Sequence, residues 1–203
     1  MIHDPYLFDD VAVLRNNLGI KDCNELDQAE ADIIFFRFAS VDGAVAGLPF
    51  DCSRLLAIHR HIFGDIYDWA GTTRTISIVK GEHILGGDTV RYSHPDYIQR
   101  DIEKALIAIN AVDWSSIDIH ETAEKFARLT AALWQVHPFR EGNTRTIITF
   151  ATQFAEVHGF RMDKSLLRDN AAYVCNALVK ASDGQYSEYE HLVKIFEDAI
   201  LRG

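Results

Sequence analysis

Little in this sequence points to covalent or membrane scaffolding. Its three cysteines, Cys23, Cys52 and Cys175, are far apart and odd in number, and none forms a CxxC pair. That excludes a disulfide framework or thiolate zinc site, and the three read as small apolar core residues in a reducing compartment. No apolar run approaches the roughly 20 residues needed to span a bilayer. The opening MIHDPYLFDD is acidic and lacks the basic stretch and apolar core of a signal peptide. Cytoplasmic synthesis is the expectation, with signal-independent export left open. Basic residues are outnumbered, 20 Lys and Arg against 30 Asp and Glu, for a net charge of -10. This balance argues against electrostatic capture of nucleic acid, which needs clustered cations facing phosphates. No GxxxxGK(S/T) occurs, so a P-loop NTPase is unsupported. No repeat, low-complexity tract or Pro/Gly/Ser-rich linker divides the chain, and 203 residues suit one well-packed domain, 1–203.

What is present is mostly helical periodicity. Val11, Leu14 and Leu18 share a face that stops at Gly19, and Leu26, Ala29, Ile33 and Phe36 share another. Leu55, Ile58, His59, Ile62 and Ile66 predict a third helix, ending near Asp68. Ile98, Ile102, Ala105, Leu106, Ile109 and Val112 predict a fourth, with Ser93 and Pro95 at its start. Ala123, Phe126, Ala127, Ala131 and Trp134 run up to His137; Ile147, Phe150, Ala151 and Phe154 run to Gly159. Two more helices are expected around 171–180 and 187–201. One stretch differs: Thr72 to Val79 reads TTRTISIV, alternating in polarity, with Gly81, Gly86 and Gly87 beyond. It predicts one short β-hairpin over about 72–85, leaning on the helices because a lone hairpin is barely stable. The expected fold is all-α with that hairpin as a flap.

Between the fifth and sixth periodic stretches stands His137-Pro138-Phe139-Arg140-Glu141-Gly142-Asn143-Thr144-Arg145. Pro138 cannot continue the helix that ends at His137. Gly142 frees the turn, and Asn143 is a good N-cap for the helix that follows. Backbone N–H groups around Gly142 to Thr144 then face outward from a helix N-terminus, a natural anion site. Arg145 in the first turn adds a forked donor for a phosphate. Glu141 can hold Mg²⁺ bridging phosphate oxygens, and His137 can accept a proton near neutral pH. A base, a metal ligand and a phosphate cradle fall within nine residues, the parts that phosphoryl or nucleotidyl transfer requires.

This run resembles the signature of the Fic family, HxFx(D/E)GNxRxxR, at His137, Phe139, Glu141, Gly142, Asn143 and Arg145. Trp69-Ala70-Gly71, the Arg74-Thr75 hairpin and Lys80-Gly81 look like that family's flap. The resemblance implies a Fic-fold helical bundle and a protein adenylyltransferase that moves AMP from ATP to a Tyr, Thr or Ser hydroxyl. It implies His137 as general base, Glu141 as Mg²⁺ ligand, Gly142 and Asn143 as cradle for the α- and β-phosphates, and Arg145 as phosphate ligand. Phe139 would hold the loop's shape. Thr75, Ile76, Ser77, Ile78 and Val79 of the flap would pair with an extended segment of the target protein. Lys80 and Gly81 read first as hairpin chemistry and second as nucleotide contacts.

Two positions depart from the pattern. Ile148 replaces the last Arg of the signature, and Thr144 replaces the more usual Gly, its side chain free to face the phosphates or turn away. In the family that Arg grips the far phosphate and is the partner of an inhibitory Glu on an (S/T)xxxE(G/N) helix. The only Glu followed by Gly or Asn here is Glu141 itself. A separate small antitoxin would therefore have to supply such a helix, or the device is unused. A Doc-like kinase ranks second, since Doc signatures usually carry Lys where Thr144 stands. A degenerate scaffold that binds nucleotide or a partner is the reading from another class. His59 and His61, two apart on a helix, do not face each other and are not a metal pair; His94-Pro95 reads as helix entry.

Overall fold

The computed structural model describes residues 4–201, so the N-terminal reading rests in part on residues outside the described ones. Among the described residues the chain forms α1 (Cys23–Phe38), α2 (Val41–Ala44), α3 (Cys52–Phe63), α4 (Ile98–Asn110), α5 (Ile119–Val136), α6 (Asn143–Val157), α7 (Lys164–Asp169), α8 (Ala171–Ala181) and α9 (Glu190–Ala199). Aspartates start four of them. Asp22, Asp51, Asp118 and Asp163 accept from backbone N–H groups of the first turn at 2.8–3.0 Å. Each such cap is worth about 1 kcal/mol. Among the described residues, no helix is long and apolar enough to cross a membrane.

α5 is the central element, packed against α4, α6, α8 and α9, while α3 packs against α1, α2, α4 and α6. The periodic residues of α5 and α6 are its buried face: Phe126, Ala127, Ala131 and Trp134 on one, Ile147, Phe150, Ala151 and Phe154 on the other. Phe126, Phe154, Phe160 and Trp114 meet mostly edge to face, with centroids 5.1–6.1 Å apart. Each buried aromatic side chain stabilises the fold by about 2–3 kcal/mol relative to exposure. This core clamps the C-terminus of α5 and the N-terminus of α6 close together, and the nine-residue signature segment closes the gap.

Several expectations are corrected. Residues 11–18 are not helical. Phe8 N–H donates to Val13 O at 3.0 Å and Arg15 N–H to Tyr6 O at 2.7 Å. Asn16 ties itself to Leu14 and Ile20 with three side-chain–backbone bonds, which compete with a helical ladder. α1 buries Leu26, Glu30 and Ile34 rather than the Leu26-Ala29-Ile33-Phe36 face, and leaves Phe36 73% exposed. The third helix stops at Phe63, earlier than expected, and the last begins at Glu190. Cys23 is exposed, and Cys52 and Cys175 are half-buried rather than core.

The hairpin is a further correction. Over 75–80 exposed Thr75, Ser77 and Val79 alternate with half-buried Ile76, Ile78 and Lys80, but Thr75 and Ile76 lie in a bend and no ladder forms among the described residues. The physical reason is Arg74. Its guanidinium sits between the two arms of the loop and takes the carbonyls of Ile76 and Ser93. The first backbone bond across the arms comes only at Glu82 N–H to Asp88 O, 2.8 Å.

Candidate active site

α5 ends on His137, at φ 50° and ψ 60° the one non-glycine residue with positive φ among the described residues. Such a conformation costs roughly 1–2 kcal/mol, so the surroundings must impose it. The following Pro138 blocks further helix, and two contacts hold the turn: Arg74 N–H donates to Pro138 O at 2.8 Å and Arg74 Nε to His137 O at 2.8 Å. The imidazole is 3% exposed, lying 4.1 Å from the Tyr92 ring and edge-on to Trp134. Among the described residues, neither ring nitrogen has a protein partner. Burial first, then the cations Lys80 and Arg74, hold its pKa well below the usual histidine value. His137 is therefore neutral at neutral pH, with lone-pair capacity uncommitted.

The loop after it is held from inside. Asn143 is buried, and its side chain accepts from Phe139 N–H and donates to Phe139 O, both at 2.8 Å. Asn143 is thus the first residue of α6 and the clasp of the loop; the cap position is Gly142, at φ 79°. Phe139 is fully buried and stacks on His59 at 3.8 Å. His59 accepts from Gly71 N–H on Nδ1 at 2.8 Å and donates from Nε2 to Glu141 O at 3.1 Å. Gly142 lies against the Phe63 ring so closely that a Cβ there would stand 2.3 Å from Cζ.

No side chain caps α6, so its first-turn N–H groups face outward beside Glu141 and Arg145, as an anion site requires. Glu141 accepts from Gly142 N–H at 2.9 Å and from Lys80 Nζ at 3.3 Å, with Arg145 3.9 Å away. Burial pushes its pKa up, but Lys80, the Gly142 N–H and Arg145 outweigh this, and the net shift is downward. Arg145 lies over the Phe63 ring and pairs with Glu30 at 2.6 Å, while Tyr67 donates to the other Glu30 oxygen at 2.7 Å. Thr144 turns away from this surface: its hydroxyl accepts from Trp134 Nε1 at 2.9 Å.

Of the residues picked from sequence, His137, Glu141, Gly142, Asn143, Thr144, Arg145 and Lys80 share this region. Gly81 stands instead against Gly87 in the loop's outer bend. His61 bonds Ser40 and Arg37 O, away from His59's partners. Sequence reasoning missed His59, Arg74, Glu30, Tyr67 and Tyr92. Glu30 carried one faint signal, a carboxylate on what periodicity makes an apolar helix; the others act from distant segments.

His59 and His137 give the protein an acid limit. Burial pushes the His59 pKa down to about 4, and protonating Nδ1 would break its bond from Gly71. A histidine with a depressed folded-state pKa binds fewer protons folded than unfolded. Its stabilising contribution is present above the unfolded value near 6.5 and is lost as pH falls towards the folded value. Thermal unfolding from pH 7.5 to pH 4 should show Tm falling below about pH 6.5, His59 alone accounting for on the order of 3 kcal/mol. A flat Tm through that window would contradict the assignment.

These elements define a helical protein in which a buried neutral histidine, a carboxylate and an uncapped helix N-terminus meet around one loop. Residues 49–155 match the Fic/DOC family, more than half of the chain, and the chain belongs to that family. It is 35% identical over 173 residues to the probable protein adenylyltransferase y4lH of Sinorhizobium fredii, covering 82% of each protein. It is 30% identical over 161 residues to the protein adenylyltransferase VbhT of Bartonella schoenbuchensis, covering 79% of this chain but 32% of that longer protein. Among solved structures, BepC from Bartonella tribocorum with bound AMPPNP superimposes with a TM-score of 0.79 at 23% identity, covering 98% of this chain and 97% of that one. A Fic domain from Bartonella quintana with bound ADP gives 0.79 at 25% identity, covering 97% and 94%.

Proposed function

We propose that this chain is a protein adenylyltransferase acting as one Fic domain, with ATP as donor and a protein hydroxyl as acceptor. The observation that supports it best is His137: buried, neutral and unpartnered at both ring nitrogens, beside the open N-terminus of α6. In this reading the N–H groups of Asn143, Thr144 and Arg145 and the Arg145 guanidinium hold the nucleotide phosphates. His137 takes the proton of the target hydroxyl as its oxygen attacks the α-phosphorus. The bond from that phosphorus to the bridging oxygen breaks, pyrophosphate leaves, and AMP stays on the target. Glu141 fits an Mg²⁺ site: a single ionised, half-exposed carboxylate beside the phosphate cradle is the protein share such an ion takes. Bound Mg²⁺ would neutralise phosphate charge. Lys80, now paired with Glu141, would be released towards the phosphates, giving it a nucleotide role that Gly81 lacks.

The flap supports target docking. Among the described residues, the backbone N–H groups of Ile76, Ser77, Ile78 and Val79 donate to no protein acceptor, and Val79 is 80% exposed. An extended target segment would take them up as a strand partner, reading backbone more than side chains. Ile148, half-buried in α6, leaves Arg145 as the one arginine at a fixed position of the signature. A separate antitoxin, if one is encoded, would have to hold this site through contacts other than the usual Glu–Arg clamp.

The test is incubation with Mg²⁺, a bacterial lysate and ATP labelled at the α- or the γ-phosphate. Label on a protein from α-labelled ATP alone is the expected result. Label from γ-labelled ATP alone would move the assignment to a Doc-like kinase. No label from either, with folded protein, would favour the nucleotide-binding scaffold that Ile148 suggests.

A further inference from the structure

Arg74 is 2% exposed, yet among the described residues no carboxylate pairs with it. A buried cation without a counter-ion is costly unless most of its donors are satisfied and some negative potential faces it. Backbone carbonyls take four of the five Arg74 side-chain N–H donors and supply that potential. Nε donates to His137 O at 2.8 Å, Nη1 to Ile76 O at 2.7 Å, and Nη2 to Ser93 O and, at 3.5 Å, to Val136 O. Val136 and His137 lie at the C-terminal end of α5, where the helix dipole is negative and favours a cation. The backbone N–H of the same residue holds Pro138 O.

These acceptors fall into two groups. Val136, His137 and Pro138 form the turn that carries the candidate base; Ile76 and Ser93 are the two arms of the flap. One planar fork thus binds the catalytic turn and the docking flap in a fixed relation. We propose that Arg74 is a positioning residue. It holds the His137 backbone in its left-handed conformation, so that the imidazole faces the cradle, and it sets the height of the flap above that imidazole. Its side-chain hydrogen bonds go to backbone carbonyls of the turn and the flap, so it acts through them and is not a catalytic residue. The rest of the molecule supports the distinction: the nucleotide groups Glu141 and Arg145 have their own supports in His59, Glu30 and Phe63. Loss of Arg74 should therefore disturb the base and the flap while sparing the nucleotide cradle. The inference rests on the transferase reading for its effect on turnover, but its geometric half stands apart from it.

The experiment compares wild type, R74K and R74Q in the full chain. Lys keeps the charge but loses the fork, reaching one or two of the carbonyls; Gln loses the charge as well. Three quantities are read: AMP transfer, with kcat and KM for ATP separated; AMPPNP affinity; and amide hydrogen exchange by mass spectrometry. A displacement near 1 Å of a reacting group costs about 100-fold. R74Q should lower kcat about 100-fold, and R74K less, with KM for ATP and AMPPNP affinity changed less than about threefold. Exchange should rise in the peptides covering 74–80, 90–94 and 136–140 and stay unchanged in α3 and α9. Wild-type kcat in both variants, or exchange unchanged in those three segments, would overturn the proposal. So would faster exchange throughout, with AMPPNP binding lost in R74K as well, because Arg74 would then be general scaffolding. If wild type transfers no AMP, the transferase reading fails, and the exchange pattern still decides the part played by Arg74.

Discussion

Replacing His137 with Ala is expected to abolish transfer while leaving nucleotide binding nearly intact. In the proposed mechanism the imidazole accepts a proton and holds no phosphate, and general-base catalysis contributes about 10²–10⁴-fold. AMPPNP affinity should change less than about threefold, since the N–H groups of α6 and Arg145 are untouched. The left-handed backbone complicates a single substitution, because Ala tolerates positive φ poorly and leaves a gap against Tyr92 and Trp134. His137→Asn is the companion variant: Asn accepts that conformation more readily and cannot serve as the base. Both should lose turnover equally. Parallel loss of AMPPNP binding in both would show His137 to be a structural residue of the loop, and the mechanism above would fall.

Gly142→Ala should have the largest effect on stability. Two penalties act together. At φ 79° a side chain is strained by roughly 1–2 kcal/mol. The new Cβ would also stand 2.3 Å from Cζ and 2.4 Å from Cε2 of Phe63. That ring cannot simply yield, because the His59 ring lies 4.7 Å from it and the Arg145 guanidinium lies over it at 4.9 Å. Overpacking of this kind costs about 1–3 kcal/mol, so the expected total is about 2–5 kcal/mol, with phosphate binding lost because the α6 N-terminus is displaced. Urea denaturation measures it, and Phe63→Leu in the same chain separates the terms. The double variant should recover the steric part and retain the backbone part. A change within about 0.5 kcal/mol for Gly142→Ala alone would mean the close approach is not a constraint.

Much of the site was legible because its chemistry is local. His137, Glu141, Gly142, Asn143 and Arg145 lie within nine residues, and the breaks at Pro138 and Gly142 between strongly periodic segments placed them on a turn between two helices. The helices that packed as expected, α4, α5 and α6, have apolar residues at helical spacing along their buried faces. Where the pattern misled, hydrogen-bonding partners that apolar periodicity does not register had changed the outcome. α1 turned one residue away from its apparent face because Glu30 has Arg145 and Tyr67 to meet inside. Residues 11–18 took a non-helical path because Tyr6 and Phe8 supplied backbone partners and Asn16 supplied side-chain ones.

By itself, then, the order of residues determined which groups could do the chemistry and which helix ends would present them, since helix periodicity, caps and breakers act over a few residues. Tertiary structure alone decided how those groups are tuned. The side of Thr144 that faces inward, the exclusion of water from His137, the histidine beneath Glu141 and the arginine behind the turn all come from segments about 10 to 80 residues away. Such contacts leave no periodic trace, because a buried Arg or His is placed by the carbonyls it must satisfy, and those become neighbours only when the chain has folded.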